Sequence, residues 1–250
     1  MKIIVQNLAV EYQDEGAGKT ILLLHGWQDN LKTFDALASL LSPAYRITRL
    51  DLPGFGQSET PPETWNVDNY VKFVQEFIQK LNLSVDALVG HSFGGRIVIK
   101  GVATQNLQSA KIILINSAGL SKSKTPRNVI WKIFAKIGGF IIYVPPFYFW
   151  KDKLRAKFYK SIGSDYLQAG KLKEIFLKII AEDLSSSARE ITKPALLIWG
   201  ADDTETPLSD GQRLSQLIPE SQLKIINSTG HFAHQEKAQD VAKLIQEFLC

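Results

Sequence analysis

The chain has 250 residues, of which 45% are apolar, and a formal net charge of +4, enough to bury one mixed α/β core and more economical as one domain than as two small ones. A single cysteine, Cys250, excludes an internal disulfide framework, and no Cys/His cluster has the spacing of a structural zinc site, so no metal and no oxidising compartment is called for. The N-terminal segment turns polar at Gln6 too early for a secretory leader, and no apolar run approaches the roughly 20 residues that cross a bilayer, so a cytoplasmic location is expected.

In chain order, short apolar or β-branched runs read as strands: Ile3 to Val5, Leu8 to Tyr12, Ile21 to Leu24, Tyr45 to Leu50, Ala87 to Val89, Ile112 to Ile115, Ala195 to Trp199 and Leu223 to Ile226. Most are continuous rather than alternating, the pattern of strands covered on both faces by helices. Between them lie helical patterns. Val67 to Leu81 places Val71, Val74, Phe77, Ile78 and Leu81 on one face, and Val241 to Leu249 closes the sequence. Alternation of strand and helix argues for a doubly wound, mostly parallel eight-stranded sheet with helices on both faces. Only Gln6 and Asn7 separate the first two runs, too few for a crossover, so those strands form an antiparallel hairpin at one edge.

Charge is unevenly placed along the chain. Residues 121–182 carry thirteen Lys/Arg against four Asp/Glu and twelve of the 25 aromatic residues, so this stretch is +9 and the remainder is −5. Such a shift marks an insertion between two parts of one core, residues 1–120 and 183–250.

The strand ending at Val89 runs into Gly90-His91-Ser92-Phe93-Gly94-Gly95 and then the helical Arg96 to Ala103. This is the G-x-S-x-G context of a strand, a sharp turn and a helix. Glycine on both sides leaves room for the close passage of strand and helix, and the turn strains the serine backbone while exposing its hydroxyl at a helix N-terminus. Here the sequence resembles the α/β-hydrolase superfamily, with three more segments matching in order and the likeness spanning nearly all of the chain outside 121–182. His25-Gly26-Trp27 resembles the family's H-G-x loop, which implies that the backbone N–H groups of Trp27 and Phe93 form an oxyanion hole. Asp51-Leu52-Pro53-Gly54-Phe55-Gly56-Gln57-Ser58 is similar to its D-x-P-G-x-G-x-S loop, a structural element. Gly200-Ala201-Asp202-Asp203-Thr204-Glu205-Thr206-Pro207 is similar to its G-x-x-D-x-x-x-P segment, and that spacing selects Asp203 rather than Asp202. Some members carry the acid after the sixth strand, but that strand ends here in Asn116-Ser117.

Four histidines are present, and Gly230-His231 matches the family's G-H motif, so the resemblance makes His231 the base. His234, one turn further on, is read as structural. The implied chemistry is that of a nucleophilic serine, Ser92, whose proton passes to His231 while Asp203 holds the imidazole in the right tautomer. No cofactor is required.

Residues 121–182 lie where the superfamily carries a helical cap. Phe140, Tyr143, Phe147 and Trp150 are its candidate substrate contacts, together with Trp27 from the core. Two readings of its aromatics stand. They form the cap's own small core with lysines on the outside, or they line an apolar substrate pocket or a lipid-facing lid. Pro145-Pro146 argues against one continuous amphipathic helix, which weighs against contact with a membrane surface. Nucleic-acid binding is disfavoured because the core is net acidic and carries no such motif. The implied activity is hydrolysis of small to medium apolar carboxylic esters through an acyl-enzyme. Serine at the elbow tells against the dehalogenase and epoxide hydrolase members, which use aspartate there. Thioesterase or lipase, C–C bond hydrolase, and acyltransferase or perhydrolase chemistry share the same triad, and a small-molecule receptor with a vestigial triad is the non-enzyme alternative.

Overall fold

The computed structural model describes residues 1–121 and 172–250. All eight expected strands form: β1 (Lys2–Val5), β2 (Leu8–Glu15), β3 (Thr20–Leu24), β4 (Arg46–Leu50), β5 (Val85–His91), β6 (Lys111–Ile115), β7 (Ala195–Gly200) and β8 (Ser221–Ile226). They make one sheet in the order β1-β2-β4-β3-β5-β6-β7-β8. β1 pairs antiparallel with β2 as an edge hairpin, β2 pairs antiparallel with β4, and every pairing from β4 through β8 is parallel. This is the α/β-hydrolase fold.

The continuous apolar runs have the physical reason expected of them. Along β3, Leu22 and Leu24 enter one hydrophobic cluster while Ile21 and Leu23 enter the other, on the opposite face. Helices α2 (Val67–Lys80) and α3 (Phe93–Ala103) pack together over the first face, and α1 (Asp35–Leu41) packs with the C-terminal α8 (Ala238–Leu249) over the second. Asn66 opens α2 with a reciprocal capping pair: its side chain accepts from Asn69 N at 3.0 Å and its own N–H donates to Asn69 Oδ1 at 2.8 Å. Asn82, at φ +47°, closes it, and Leu83 N donates back to Ile78 O. The departures are at the two edges. β1 and β8 each have a single neighbour, and in their apolar runs Ile4 is 51% and Ile225 47% exposed.

Four further helices follow residue 171: α4 (Lys173–Ala181), α5 (Ser185–Arg189), α6 (Leu208–Leu217) and the single-turn α7 (Ala233–Glu236). Ser121 Oγ hydrogen-bonds to Asp183 Oδ2, and Leu184 N donates to Gly119 O at 2.9 Å. The chain therefore comes back beside the point at which it left the sheet. The remainder of the expected insertion, 122–171, lies outside the described residues.

Candidate active site

Between β5 and α3 the backbone turns within one residue. Ser92 sits at φ +48°, ψ −109°, a region that L side chains rarely adopt. The flanking glycines are required by contact: a Cβ on Gly90 would lie 2.6 Å from the Gly94 backbone, and one on Gly94 would lie 2.1 Å from Leu24 O. The Ser92 carbonyl accepts the N–H of Gly95 and of Ala118, each at 3.1 Å. In a trans peptide C=O and N–H point opposite ways, so these bonds also fix where the Phe93 N–H points.

A second peptide plane is held in the same manner beside it. The buried His25 ring accepts the Leu52 N–H at Nε2 (2.9 Å), which leaves Nδ1–H to donate to Gly26 O at 2.7 Å. The Gly26 carbonyl and the Trp27 N–H belong to one peptide unit, so the His25 ring sets the direction of the Trp27 amide. Burial pulls the pKa of His25 down and keeps it neutral in this role. A Cβ on Gly26 would meet Ser92 Cβ at 3.3 Å, which places this loop against the serine. The Asp51 loop braces it from outside. Asp51 accepts from Leu31 N and Gln57 N, both at 2.7 Å, and its carbonyl accepts from Ser58 Oγ at 2.7 Å.

Asp203 and His231 meet directly, with His231 Nδ1–H donating to Asp203 Oδ2 at 2.9 Å. Four more donors converge on this carboxylate: Asn116 Nδ2 at 2.6 Å and Thr206 Oγ1 at 2.7 Å on Oδ2, and the N–H groups of Glu205 (2.8 Å) and Thr206 (3.0 Å) on Oδ1. Burial opposes the charge on Asp203, but the bonds from His231, Asn116 and Thr206 outweigh it and hold the carboxyl below its ordinary value. Asp202 is exposed and its side chain takes no part. Because Nδ1 carries the proton, His231 Nε2 is free to act as a base.

The remaining histidines surround this pair. His91, next to Ser92, donates from Nε2 to the His231 carbonyl at 3.0 Å, and its ring lies 4.9 Å from the His231 ring, which joins the elbow to His231. Burial first, then His234 and His231, push His91 well below its ordinary pKa. His234 is fully buried, bonded to Thr33 Oγ1 at 2.9 Å, and lowered to about 3 by burial and by His231. Its structural reading holds on that contact.

Trp27 stands in an aromatic wall with Phe55 (4.9 Å), Phe93 (5.6 Å) and Phe176 of α4 (5.1 Å). Its indole N–H is shielded from solvent and has no hydrogen-bond partner among the described residues. Phe140, Tyr143, Phe147 and Trp150 lie outside the described residues. Sequence reasoning missed Asn116, Thr206 and Phe176. The only signal for Asn116 is its place at the end of the sixth strand, where some members of the family carry the acid. Among the described residues no group of three or more His, Cys, Asp or Glu side chains could hold a metal, and no helix is long and apolar enough to cross a membrane.

Comparison with known proteins bears on the whole chain. The model of the alpha/beta hydrolase family matches residues 21–244. An uncharacterized hydrolase, YugF, of Bacillus subtilis (strain 168) is 27% identical, with 97% of this chain and 94% of that protein aligned. Lipase 3 of Moraxella sp. (strain TA144) is 25% identical over 94% of this chain and 78% of its own. The 2-hydroxy-6-oxo-6-phenylhexa-2,4-dienoate hydrolase of Burkholderia cepacia is 25% identical over 98% and 92%.

Proposed function

Since the chain belongs to the alpha/beta hydrolase family and is a hydrolase, we propose that it cleaves carboxylic esters of small to medium, apolar acyl and alcohol groups through an acyl-enzyme on Ser92. The observation that carries this reading is the Asp203–His231 pair lying against the strained Ser92 elbow. Asp203, with its five donors, stays ionised and fixes the imidazole tautomer, so His231 Nε2 takes the Ser92 proton as Oγ attacks the ester carbonyl. Trp27 N–H and Phe93 N–H, each on a peptide plane held by its own carbonyl bond, receive the oxyanion. The imidazolium then gives its proton to the departing alcohol, and water repeats the sequence to release the acid. The aromatic wall of Trp27, Phe55 and Phe176 suits an apolar group on the substrate. A basic, aromatic cap over residues 121–182 would supply the rest of that pocket.

A second reading, cleavage of a C–C bond beside a carbonyl, is favoured by the likeness to the Burkholderia dienoate hydrolase. The two separate on a panel of p-nitrophenyl esters and thioesters from C2 to C8, run beside a 6-oxo-2,4-dienoate. Ester turnover with a dependence on acyl length and little dienoate cleavage is expected. Dienoate cleavage without ester turnover would replace the ester reading with the C–C one. Binding of either substrate with neither turned over would point to a receptor.

A further inference from the structure

Nε2 of His231, the atom through which every proton of the proposed reaction passes, has a carboxylate beside it. Glu205 Oε2 lies 3.6 Å away, on a side chain that is 58% exposed. Glu205 is not a second copy of Asp203: that residue is buried and engages Nδ1, whereas Glu205 stands on the opposite side of the ring, open to solvent. Its backbone is held in place, because its N–H donates to Asp203 Oδ1 at 2.8 Å. No lysine or arginine neutralises it among the described residues, where His231 is its one ionic partner. The leaving group must depart next to Nε2 to collect its proton, so it has to pass this negative charge.

Resting on the ester reading above, we propose that Glu205 is a selectivity residue on the leaving-group side of the site, which makes the enzyme favour neutral and cationic esters over esters whose alcohol carries a carboxylate. The physical basis is Coulombic. A charged leaving group several ångströms from Glu205, in a half-solvated mouth, is shifted in rate by about fivefold in either direction, and salt weakens the effect.

Three aryl acetates of similar size test it: phenyl, 4-carboxyphenyl and 4-(trimethylammonio)phenyl acetate, compared in wild type, Glu205→Gln and Glu205→Asp. The matching aryl diethyl phosphates are run beside them. With these Ser92 Oγ bonds to phosphorus, the aryl–oxygen to phosphorus bond breaks, and the serine proton passes through His231 to the leaving phenolate. Relative to the neutral compound, Glu205→Gln should raise the anionic rate about fivefold and lower the cationic rate about fivefold. Glu205→Asp should keep the wild-type order, and salt near 0.5 M should compress it. A uniform fall for all three charges would overturn the proposal, since it would mark Glu205 as a support for the imidazolium or for the loop. Unchanged ratios would overturn it too. Phosphorylation without turnover of any acetate would remove the ester reading and still read Glu205, whereas no phosphorylation at all would remove both.

Discussion

At the scale of single residues, the described site depends on groups that hold other groups still. Asp203 is one: five donors fix the carboxylate that fixes the imidazole. Asp203→Asn keeps the shape but replaces the acceptor at His231 Nδ1 with an amide that can donate, which favours the wrong tautomer. A fall in kcat of about 10⁴-fold with a small change in KM is the expected outcome in steady-state assays. Asp202→Asn, on an exposed side chain one position away, should stay within about twofold of wild type. If Asp202→Asn were the more damaging change, the choice of acid would be wrong.

At the scale of elements, α4 is the piece that joins the described part of the insertion to the elbow helix. Arg96 of α3 is buried and donates from one guanidinium nitrogen to Ile179 O and Glu182 O, both at 2.9 Å, at the end of α4, while burial lowers its pKa to about 10. Lys100, one turn on, bridges Glu182 at 2.8 Å and Asp68 at 3.3 Å. Arg96→Met fills much of the volume but strands two carbonyls. It should cost about 2 kcal/mol, or a fall of about 5 °C in the thermal midpoint, read by calorimetry; an unchanged midpoint would show that the Arg96 bonds do not hold α4. This scale also shows how far the sequence could be read. The strands were legible because burial on both faces leaves continuous apolar runs, as in Ile21 to Leu24, and Ser92, Asp203 and His231 stand out as candidates because each lies at a fixed offset from a glycine in or just after a strand. Asn116 was not legible, because its contact with Asp203 comes from β6 and β7 lying side by side in parallel, which brings together residues 87 apart in the chain; Thr206 lies only three residues from Asp203 in the same loop, where no sequence pattern marks it as a donor to the carboxylate. Val241 to Leu249 was placed three residues short at its start: Ala238, Gln239 and Asp240 carry no apolar stripe and join α8 by continuing its backbone.

For the molecule as a whole, all four histidines gather around one site, and three of them are held below their ordinary pKa, mainly by burial. The sign of the consequence follows from linkage. An unfolded chain binds a proton on His234 near its ordinary 6.5, but the folded chain does not until about 3. The stability from keeping this ring neutral is therefore complete above about pH 6.5 and is lost as pH falls toward 3, at about 1.4 kcal/mol per pH unit for each such histidine. Urea unfolding between pH 7 and 5 should show a steep loss of stability, and His234→Gln should make it shallower by roughly one histidine's share. An equal slope in the variant would contradict the assignment.

The whole account turns on one nucleophile, and an intact-mass measurement after treatment with a fluorophosphonate addresses it most directly. One adduct per chain, mapping to the peptide that holds Ser92 and absent from Ser92→Ala together with ester turnover, is the predicted result. An adduct on another residue, or turnover that persists in Ser92→Ala, would contradict it.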